Sequence, residues 1–442
     1  MGLVTAPSAA DQFQDVLSHA QQPAWLRRRR AEAWDRFVQL PWPSPADEAW
    51  RRTPVAGFPW ETIPLLPPAT PAVAPAFPPE LQRFSEDGWQ EGGRLIHQDT
   101  AVVAAELAEP LRRAGVLLTD LATAAVRHAG LLDPVLGRDP TLAADPLAKL
   151  ALLNAACWTH GTFVYVPRGV RADLPLRVVH RSAAGNGLLA PRTVVLLEPG
   201  SELTLVEETF ADPALHAPFI PSVVELIVRE GASLRYYHLQ NWGRETLHFY
   251  TQHAAVERDG QLVSLVASLG GRLAKCSVET RLTGPGARSE LYGVAFGEHQ
   301  QQFEYHTLQD HLAGHTTSDL LYKTALRDEA TSLYTGLIRI AKDAGKSDAY
   351  QANRNLLLSP HAKADSIPML EILTDDVRCT HGATVAPVDA EQAFYLESRG
   401  VPAPIAERML VEGFFEQVFQ KLPSAGLRDR LHAHIERKLG GP

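Results

Sequence analysis

The sequence predicts a mainly β protein, built as a parallel β-helix between an N-terminal and a C-terminal helical region. From Gly161 onward, short β-branched runs such as "GTFVYVPRGV", "RTVVLLEPG" and "SVVELIVREG" are separated by Gly and Pro. Turn-and-strand signals recur with glycines at positions 200, 231, 260 and 286, at intervals of 31, 29 and 26 residues. Strand pairs repeated at this spacing favour stacked rungs, and a sandwich of short strands stays open as the alternative.

Residues 1–157 are predicted to form an N-terminal helical region. Apolar residues fall at helical spacing over 11–37, and Ala/Leu-rich patterns such as "AVVAAELAEPLRRAG" and "PLAKLALLNAACW" return over 99–157. Between them, Leu40 to Glu80 holds too many prolines for a long regular element. We therefore predict an extended surface chain there.

Residues 158–388 are predicted to form the β-helix core, and residues 389–442 a C-terminal helical domain. Rungs from about Gly161 to Thr384 are expected to point Val, Leu and Ile inward. A solenoid has open ends that need covers, and the flanking helices are expected to provide them. The last helices are predicted from "DAEQAFYLESRG" and from the apolar stripe in "PAPIAERMLVEGFFEQVFQKL".

Three aromatic residues, Phe414, Phe415 and Phe419, lie on more than one side of the helix predicted near 403–422. One stripe buries only some of them against its own domain, so we expect the rest to form an exposed patch for a partner. The alternative, with all three in the core of the domain, stays open.

The composition argues against several classes of protein. A net charge of −9 is unlike a nucleic-acid-binding surface, and charges interrupt the apolar stretches that a membrane span needs. The start, "MGLVTAPSAADQFQDVL", lacks the pattern of a signal peptide. Three dispersed cysteines do not form a disulfide framework, so we expect a cytoplasmic location. With neither a Gly-x-Ser-x-Gly nor a His-Glu-x-x-His motif, we expect a scaffold or binding protein without catalytic residues.

Cys379 and His381, in "TDDVRCTHGAT", are the candidate metal ligands. On a strand they share one face, and a thiolate beside an imidazole suits zinc, iron or an iron–sulfur cluster. One unbroken strand would place Glu371 and Asp375 on the same face. Two ligands fall short of the four in a structural metal site, so a packed thiol beside a structural histidine is the alternative.

Other candidates are given structural roles. Four histidines lie close together, but their spacings of 7, 5 and 4 match no compact zinc pattern. They are His299, His306, His311 and His315. Cys157 and Cys276 lie in apolar runs and are predicted to be small core residues. The run Arg27–Arg30 is predicted to be a solvated helix face.

The segment "GLIRIAKDAGKSDAYQANRNLLLSPHAKADSIPMLEILTDDVRCTHGATVAPVDAEQAFYLESRGV" carries an ordered set of short elements. They are "NLLLS", Pro368 with Glu371, "DDV", "CTHGAT" and "FYLESRG". This set resembles the SufB/SufD family of iron–sulfur cluster assembly scaffold proteins. Weaker similarity over "PAWLRRRRAEAWDRFVQLPWPSPADEAWRRT" and "NAACWTHGTFVYVPRGV" extends the resemblance to nearly the whole chain. The chain is similar to the SufD type, because the B type is expected to carry a cysteine where Asn353 stands.

The resemblance implies a right-handed parallel β-helix between helical regions. It implies a non-catalytic subunit of the Suf complex that pairs with a SufB-like scaffold subunit and takes part in iron acquisition and cluster assembly in the cytoplasm. A SufC-like ATPase is expected to bind the C-terminal helices, and a homodimer of the isolated chain stays open.

The resemblance also implies a role for His381, with Cys379 beside it, at the contact with the SufB-like subunit, where the partner would supply the missing ligands. We expect no tightly bound cofactor, only a transient iron ion or iron–sulfur cluster at that interface. The alternative function is a β-helix enzyme that acts on carbohydrate, because a fold does not fix a function.

Overall fold

The computed structural model describes nine parts of the chain. They are residues 9–18, 22–55, 58, 64–65, 90–138, 145–183, 187–211, 219–422 and 425–440. The first part of the predicted extended chain, 40–55, holds only a 3₁₀ turn, Glu48–Trp50. Most of the rest of that segment, up to Glu80, lies outside the described residues.

Two long sheets pack face to face and form the predicted parallel β-helix. In spatial order, the first sheet contains β19 (Arg378–Pro387), β17 (Asp348–Leu357), β15 (Thr317–Leu326), β13 (Arg288–Gly297), β11 (Gln261–Ser268), β9 (Ser233–Asn241), β7 (Glu202–Ala211), β5 (Leu176–Ser182), β1 (Gly93–Gln98) and β2 (Ala101–Leu107). The second contains β18 (Lys363–Ile372), β16 (Thr331–Ile340), β14 (Gln302–His311), β12 (Leu273–Leu282), β10 (Leu247–Val256), β8 (Phe219–Val228), β6 (Pro191–Leu197), β4 (His160–Val166) and β3 (Leu117–Asp120).

From β4 onward, consecutive strands alternate between the two sheets, so each rung contributes one strand to each sheet and about eight rungs stack. Neighbouring strands pair in parallel, except for the antiparallel pairs β1–β2 and β3–β4 at the N-terminal end. The sandwich alternative is therefore wrong, because its strands would pair mainly with antiparallel neighbours.

A recurring turn explains why glycine spacing marks the rungs. Gly200, Gly231 and Gly286 have left-handed backbones, with φ between 63° and 77°. Glycine adopts this conformation without a steric penalty. At two equivalent turns a different residue takes it, Asp259 at φ 54° and His315 at φ 59°, which is why the repeat is degenerate in sequence.

Alternate side chains of both sheets fill the space between them, which we call the lumen. Val178, Leu205, Val224 and Leu291 are typical members and are at most 2% exposed. The prediction of inward Val and Leu is confirmed. The two buried isoleucines of β16 line only the late rungs, and five tyrosines add aromatic volume to the main cluster. They are Tyr236, Tyr250, Tyr305, Tyr322 and Tyr334.

Within the described residues, six N-terminal helices lie at the start of the solenoid. They are α1 (Ala9–Ser18), α2 (Ala24–Gln39), α3 (Glu109–Arg113), α4 (Leu121–Arg127), α5 (Ala129–Leu132) and α6 (Ala148–Cys157). Through Phe37 and Leu150, α2 and α6 pack with Phe219 and Phe249 on the outer face of the second sheet. The apolar stripes of these two helices therefore pack on the outer face of the sheet.

The arginine run on α2 is only partly solvated. Arg27 and Arg28 are exposed, as predicted. Arg30 is buried, donates to Ala156 O at 2.8 Å and lies 4.1 Å from the ring centroid of Trp158. Arg29 is half-buried and bonds to Asp133. The prediction is wrong for these two residues because they anchor α2 to the rest of the N-terminal region.

Residues 101–107 form strand β2, although their alanines predicted a helix. Asp99 adopts a left-handed backbone with φ 53°, which allows the chain to reverse tightly into β2. The hairpin pairs β2 with β1, which itself continues the first sheet. Pairing with an existing sheet therefore overrides the helix propensity of alanine here.

Three helices follow the last strand in the part of the C-terminal region that the structure describes. They are α7 (Ala390–Ser398), α8 (Ala403–Phe419) and α9 (Ala425–Lys438). Phe415 and Leu431 pack with Tyr292 and Phe296 on the outer face of the first sheet. The expectation that these helices cover the last rung is wrong, because they cover a face and leave β18 and β19 exposed. In the described parts of the chain, no helix is long and apolar enough to cross a membrane.

Candidate functional site

The candidate ligands lie on the last rung, where β18 turns into β19. Residues 373–377 form this turn, so the unbroken strand considered above does not exist. Asp375 lies within the turn. Glu371 is in register with Arg339, whose guanidinium lies 2.7 Å from Asp310 on the outer face. Glu371 and Asp375 therefore do not share a face with Cys379 and His381, because the turn resets the alternation of side chains.

Cys379 and His381 share the lumen face of β19, as their spacing predicts. Cys379 is in register with Ala349, and His381 with Gln351. Both partners belong to the buried lumen row of β17, at 1% and 0% exposure. Among the described residues no later rung covers β19, so this row ends in the open.

The two side chains differ in environment. Cys379 is half-buried and packs beside Ile338, Ile340 and Ala349. Burial raises the pKa of its thiol, and the nearby Asp348 carboxylate adds to this effect, so the residue is held as a thiol. His381 is exposed and has no hydrogen-bond partner among the described residues. It is therefore available to an incoming group.

The chain alone does not complete a metal site in its described parts. Within them, no group of three or more His, Cys, Asp or Glu side chains is arranged to hold a metal ion. Four ligands are typical of structural zinc, so Cys379 and His381 supply at most half of such a set. Any tight site built on this pair needs ligands from elsewhere.

The lumen beside this pair is polar, which was missed from the sequence. Gln351 and Asn353 are at most 1% exposed, and Asn355 is buried beside them. Asn355 Nδ2 donates to Asn353 Oδ1 at 2.7 Å. Tyr334 Oη, in the same region, lies 2.9 Å from Thr307 Oγ1. The alternation of "QANRN" would reveal this row once the strand and its face are known.

The open end also exposes apolar side chains. Six residues of β18, β19 and the start of the turn between them are each between 38% and 57% exposed. They are Ile367, Met369, Leu370, Ile372, Leu373 and Val385. Exposed apolar groups that surround a half-complete ligand set are typical of a contact surface.

A second apolar group lies on α7 and α8. Phe394 is 72% exposed and Tyr395 57%, while Ile405 and Met409 are each 46% exposed. Phe415 and Phe419 are fully buried, and Phe414 packs against the same cluster. The patch expected from those three is therefore wrong, because they face the first sheet, and four other residues form the exposed group.

The four histidines near position 300 do not come together. His299 and His315 sit in left-handed turns, at φ 56° and 59°. His306 is close to Lys275 Nζ, at 3.2 Å, and His311 bonds to Ser318 Oγ at 2.8 Å. The structural interpretation of this group is confirmed. Cys157 and Cys276 are core residues, as predicted, and burial raises the pKa of each thiol to about 12.

A chain of polar groups runs through the N-terminal half of the lumen and was not predicted. His160 Nε2 lies 3.0 Å from His180 Nδ1, and His180 Nε2 lies 2.8 Å from Glu207 Oε1. Tyr236 Oη donates to Glu207 Oε2 at 2.7 Å. Since a carboxylate only accepts, the proton of His180 is on Nε2, and Nδ1 accepts from His160. Glu207 is thus the common acceptor of the chain.

Comparison with known proteins identifies relatives that are named for iron–sulfur cluster assembly. The family model "SUF system FeS cluster assembly, SufBD core domain" matches residues 180–414. The chain is 27% identical over 420 residues to the iron-sulfur cluster assembly protein SufD of Bacillus subtilis, covering 95% of each chain.

Two further relatives carry the name iron-sulfur cluster assembly SufBD family protein. One, from Staphylococcus epidermidis, is 28% identical over 333 residues, 75% of this chain and 70% of its own. The other, from Mycobacterium leprae, is 36% identical over 224 residues, 49% of this chain and 57% of its own. With a family model that matches more than half of the chain and a SufD aligned along almost its whole length, this chain belongs to the SufB/SufD family of iron–sulfur cluster assembly proteins and is of the SufD type.

Proposed function

We propose that the chain is a non-catalytic SufD-like subunit of a cytoplasmic Suf complex, which joins a SufB-like scaffold subunit and a SufC-like ATPase in iron acquisition and cluster assembly. The observation that carries the proposal is the open last rung. It combines exposed apolar side chains with two neighbouring candidate ligands, and it leaves the ligand set incomplete.

The open rung is the proposed contact with the SufB-like subunit. Burying Ile372 and Val385, which are 39% and 44% exposed, against a partner is favourable by about 25 cal/mol for each Å² of apolar surface removed from water. The same contact brings ligands from the partner to Cys379 and His381. Iron is cargo in this scheme, and the site forms only when both chains are present.

His381 is the proposed iron or cluster ligand. A neutral imidazole nitrogen is a borderline ligand that suits iron, and it also moves protons near neutral pH. Cys379 offers a softer donor beside it. Its raised pKa keeps it protonated until a cation or a positive partner group favours the thiolate.

The ATPase is proposed to bind the exposed faces of α7 and α8. Phe394 and Tyr395 stand outward from α7, and Ile405 and Met409 continue the group on α8. Two apolar residues from each helix make a surface suited to a helix or groove of a partner. Because one face of α8, with Val411, Phe415 and Val418, is buried against the first sheet, a contact here would be held rigidly on the solenoid.

Two sets of variants test the two contacts against each other. A tagged chain is purified from its own cells, and its partners are identified. Ile372→Lys with Val385→Lys should lose the SufB-like subunit and keep the ATPase, whereas Phe394→Asp with Tyr395→Asp should do the reverse. Val38→Lys, at a 60% exposed position on α2, serves as the control that keeps both. Unchanged partners in both variant sets would refute the proposed contacts.

The carbohydrate-active alternative gains no support. The matched family model and the relatives named above all concern cluster assembly. Glu207 is a buried carboxylate in the described lumen. It is 3% exposed and enclosed by its hydrogen-bond donors, so a sugar chain does not reach it.

A further inference from the structure

Gln351 is the inner neighbour of His381 in the lumen row. β17 and β19 are adjacent parallel strands, and the two residues are paired in register. Side chains on the same face of neighbouring strands lie about 4.8 Å apart. Gln351 is fully buried, whereas His381 is exposed. The histidine ring therefore stands between a buried carboxamide and the open end.

The orientation of this carboxamide follows from its one hydrogen bond. Gln351 Nε2 lies 3.2 Å from Gly336 O on the opposite sheet. A carbonyl only accepts, so the amino group faces Gly336 and the oxygen is left over. Oε1 is buried and has no partner among the described residues. Such an unsatisfied acceptor is destabilising by about 1–3 kcal/mol.

Gly336 provides the space for this arrangement. A Cβ atom at this position would lie 2.6 Å from Gln351 Nε2 and 2.7 Å from Oε1. Both distances are shorter than any normal contact. The absence of a side chain at Gly336 thus lets the carboxamide cross the lumen directly behind the histidine.

We propose that Gln351 is a positioning residue for His381. The two groups do not bond in this structure, but rotation of the exposed His381 side chain would bring one imidazole N–H to the buried Oε1 and leave the other nitrogen for an incoming group. This bond satisfies the buried acceptor and fixes both the tautomer and the ring orientation, as partners of metal-bound histidines commonly do. The inference rests on the proposed role of His381 and specifies how the chain prepares it.

The tautomer of His381 in the isolated chain tests the inference. The chain is labelled with ¹⁵N-histidine, and the His381 signals are identified from their loss in His381→Ala. At a pH well above the usual histidine range, the wild type should show the nitrogen shifts of one dominant tautomer. Gln351→Leu should move both shifts toward a mixture, and Gln351→Met, which keeps the length of the side chain but has no amide, should do the same. Identical shifts in the wild type and Gln351→Leu would overturn the proposal.

Gln252→Leu is the matched control. Gln252 is also a fully buried lumen glutamine, but it lies on β10 and its Nε2 donates to Ser264 Oγ at 3.0 Å. It should leave the His381 signals unchanged. Signals of the buried His160 and His180 report the fold. If they move in Gln351→Leu, the Gln351→Met variant decides, and wild-type His381 shifts in that variant would overturn the proposal.

A second measurement separates this inference from the proposed function. In the assembled complex, Gln351→Leu should lower the affinity for Fe²⁺ about 10-fold, the usual lower range for loss of a group that supports a ligand. A tautomer change together with normal cluster assembly in His381→Ala would keep the positioning role and refute the metal role. No tautomer change, with assembly lost in His381→Ala, would refute the positioning role alone.

Discussion

His180 Nε2 lies 2.8 Å from Glu207 Oε1 in the lumen, where the two side chains are 0% and 4% exposed. Burial by itself raises the pKa of Glu207, but the hydrogen bonds that it accepts from His180 and Tyr236 outweigh this effect and lower the pKa to about 2. Glu207 therefore stays ionised as the shared acceptor of this buried chain. Three donors meet there, from His180, Tyr236 and Thr193.

Stability should fall as the pH drops below about 6.5. Burial lowers the pKa of His97 and His160 well below the usual value, and that of His238 to about 4. The unfolded chain binds protons near pH 6.5 while the folded chain does not, so acid favours unfolding between about pH 6.5 and 4. Glu207 adds a further loss below about pH 4.5. Urea unfolding midpoints measured over this range check the prediction.

His238→Phe is the control for this pH dependence. The ring stacks on Tyr250 at 4.4 Å and makes no hydrogen bond within the described residues, so phenylalanine keeps the packing. The substitution removes one titrating group. The lowered pKa of that group corresponds to a loss of about 3 kcal/mol of folding stability at acid pH. The variant should lose stability less steeply, and an equally steep loss would contradict the assignment.

Lys275 should be essential for holding the N-terminal region on the solenoid. Its Nζ bonds to Glu304 and lies 2.6 Å from Ala49 O and 4.7 Å from the ring centroid of Trp50. Lys275→Met leaves the Glu304 carboxylate buried without its cation, so we expect a loss of about 3–5 kcal/mol. Adding Glu304→Gln should recover part of it. A double-mutant cycle by urea unfolding measures the coupling free energy between Lys275 and Glu304. Additive effects of the two substitutions would refute this coupling.

Gly293→Ala should destabilise the core. A Cβ at this position would lie 2.1 Å from Tyr322 Cδ1, inside the lumen. The fully buried ring has no free space to move into, so we expect a loss of about 1–3 kcal/mol. Gly345→Ala is the control, because nothing lies within 4 Å of its Cβ position. Equal melting temperatures for the two variants would show that the tyrosine relaxes freely.

His381→Ala should leave the chain folded and bound to its partners, because it removes an exposed ring at the end of the lumen. Cluster assembly in the reconstituted complex should fall sharply. Cys379→Ser should have a smaller effect, since this sulfur is partly packed against Ile338 and Ile340. Normal assembly in His381→Ala, in cells without another assembly system, would leave the histidine a structural role.

The glycine repeat favoured the solenoid over a sandwich of short strands because the turns of a solenoid need left-handed residues at regular intervals. Gly200, Gly231 and Gly286 occupy such turns, and strand alternation follows from backbone geometry alone. The β2 strand was mispredicted as a helix because its identity depends on β1 being present as a partner. Local propensity contains no information about that neighbour.

The candidate site was predictable only in part, for a related reason. Spacing correctly placed Cys379 and His381 on one face, but the turn at 373–377 removed Glu371 from it. Gln351 is 30 positions before His381, and only the register of β17 against β19 makes them neighbours. Contacts of this kind depend on rung length, which varies from turn to turn and is not set by the types of the two residues.

The two ends of the solenoid differ in the direction of their outermost strands. At the N-terminal end, the antiparallel strands β2 and β3 stop the parallel register, while at the other end β18 and β19 remain uncovered. A solenoid with two uncovered ends could add copies without limit and form a fibre. The strands β2 and β3 therefore offer an incoming copy a different pairing from the parallel register of β18 and β19. Stacking copies end to end would not continue one parallel solenoid, which works against fibre growth.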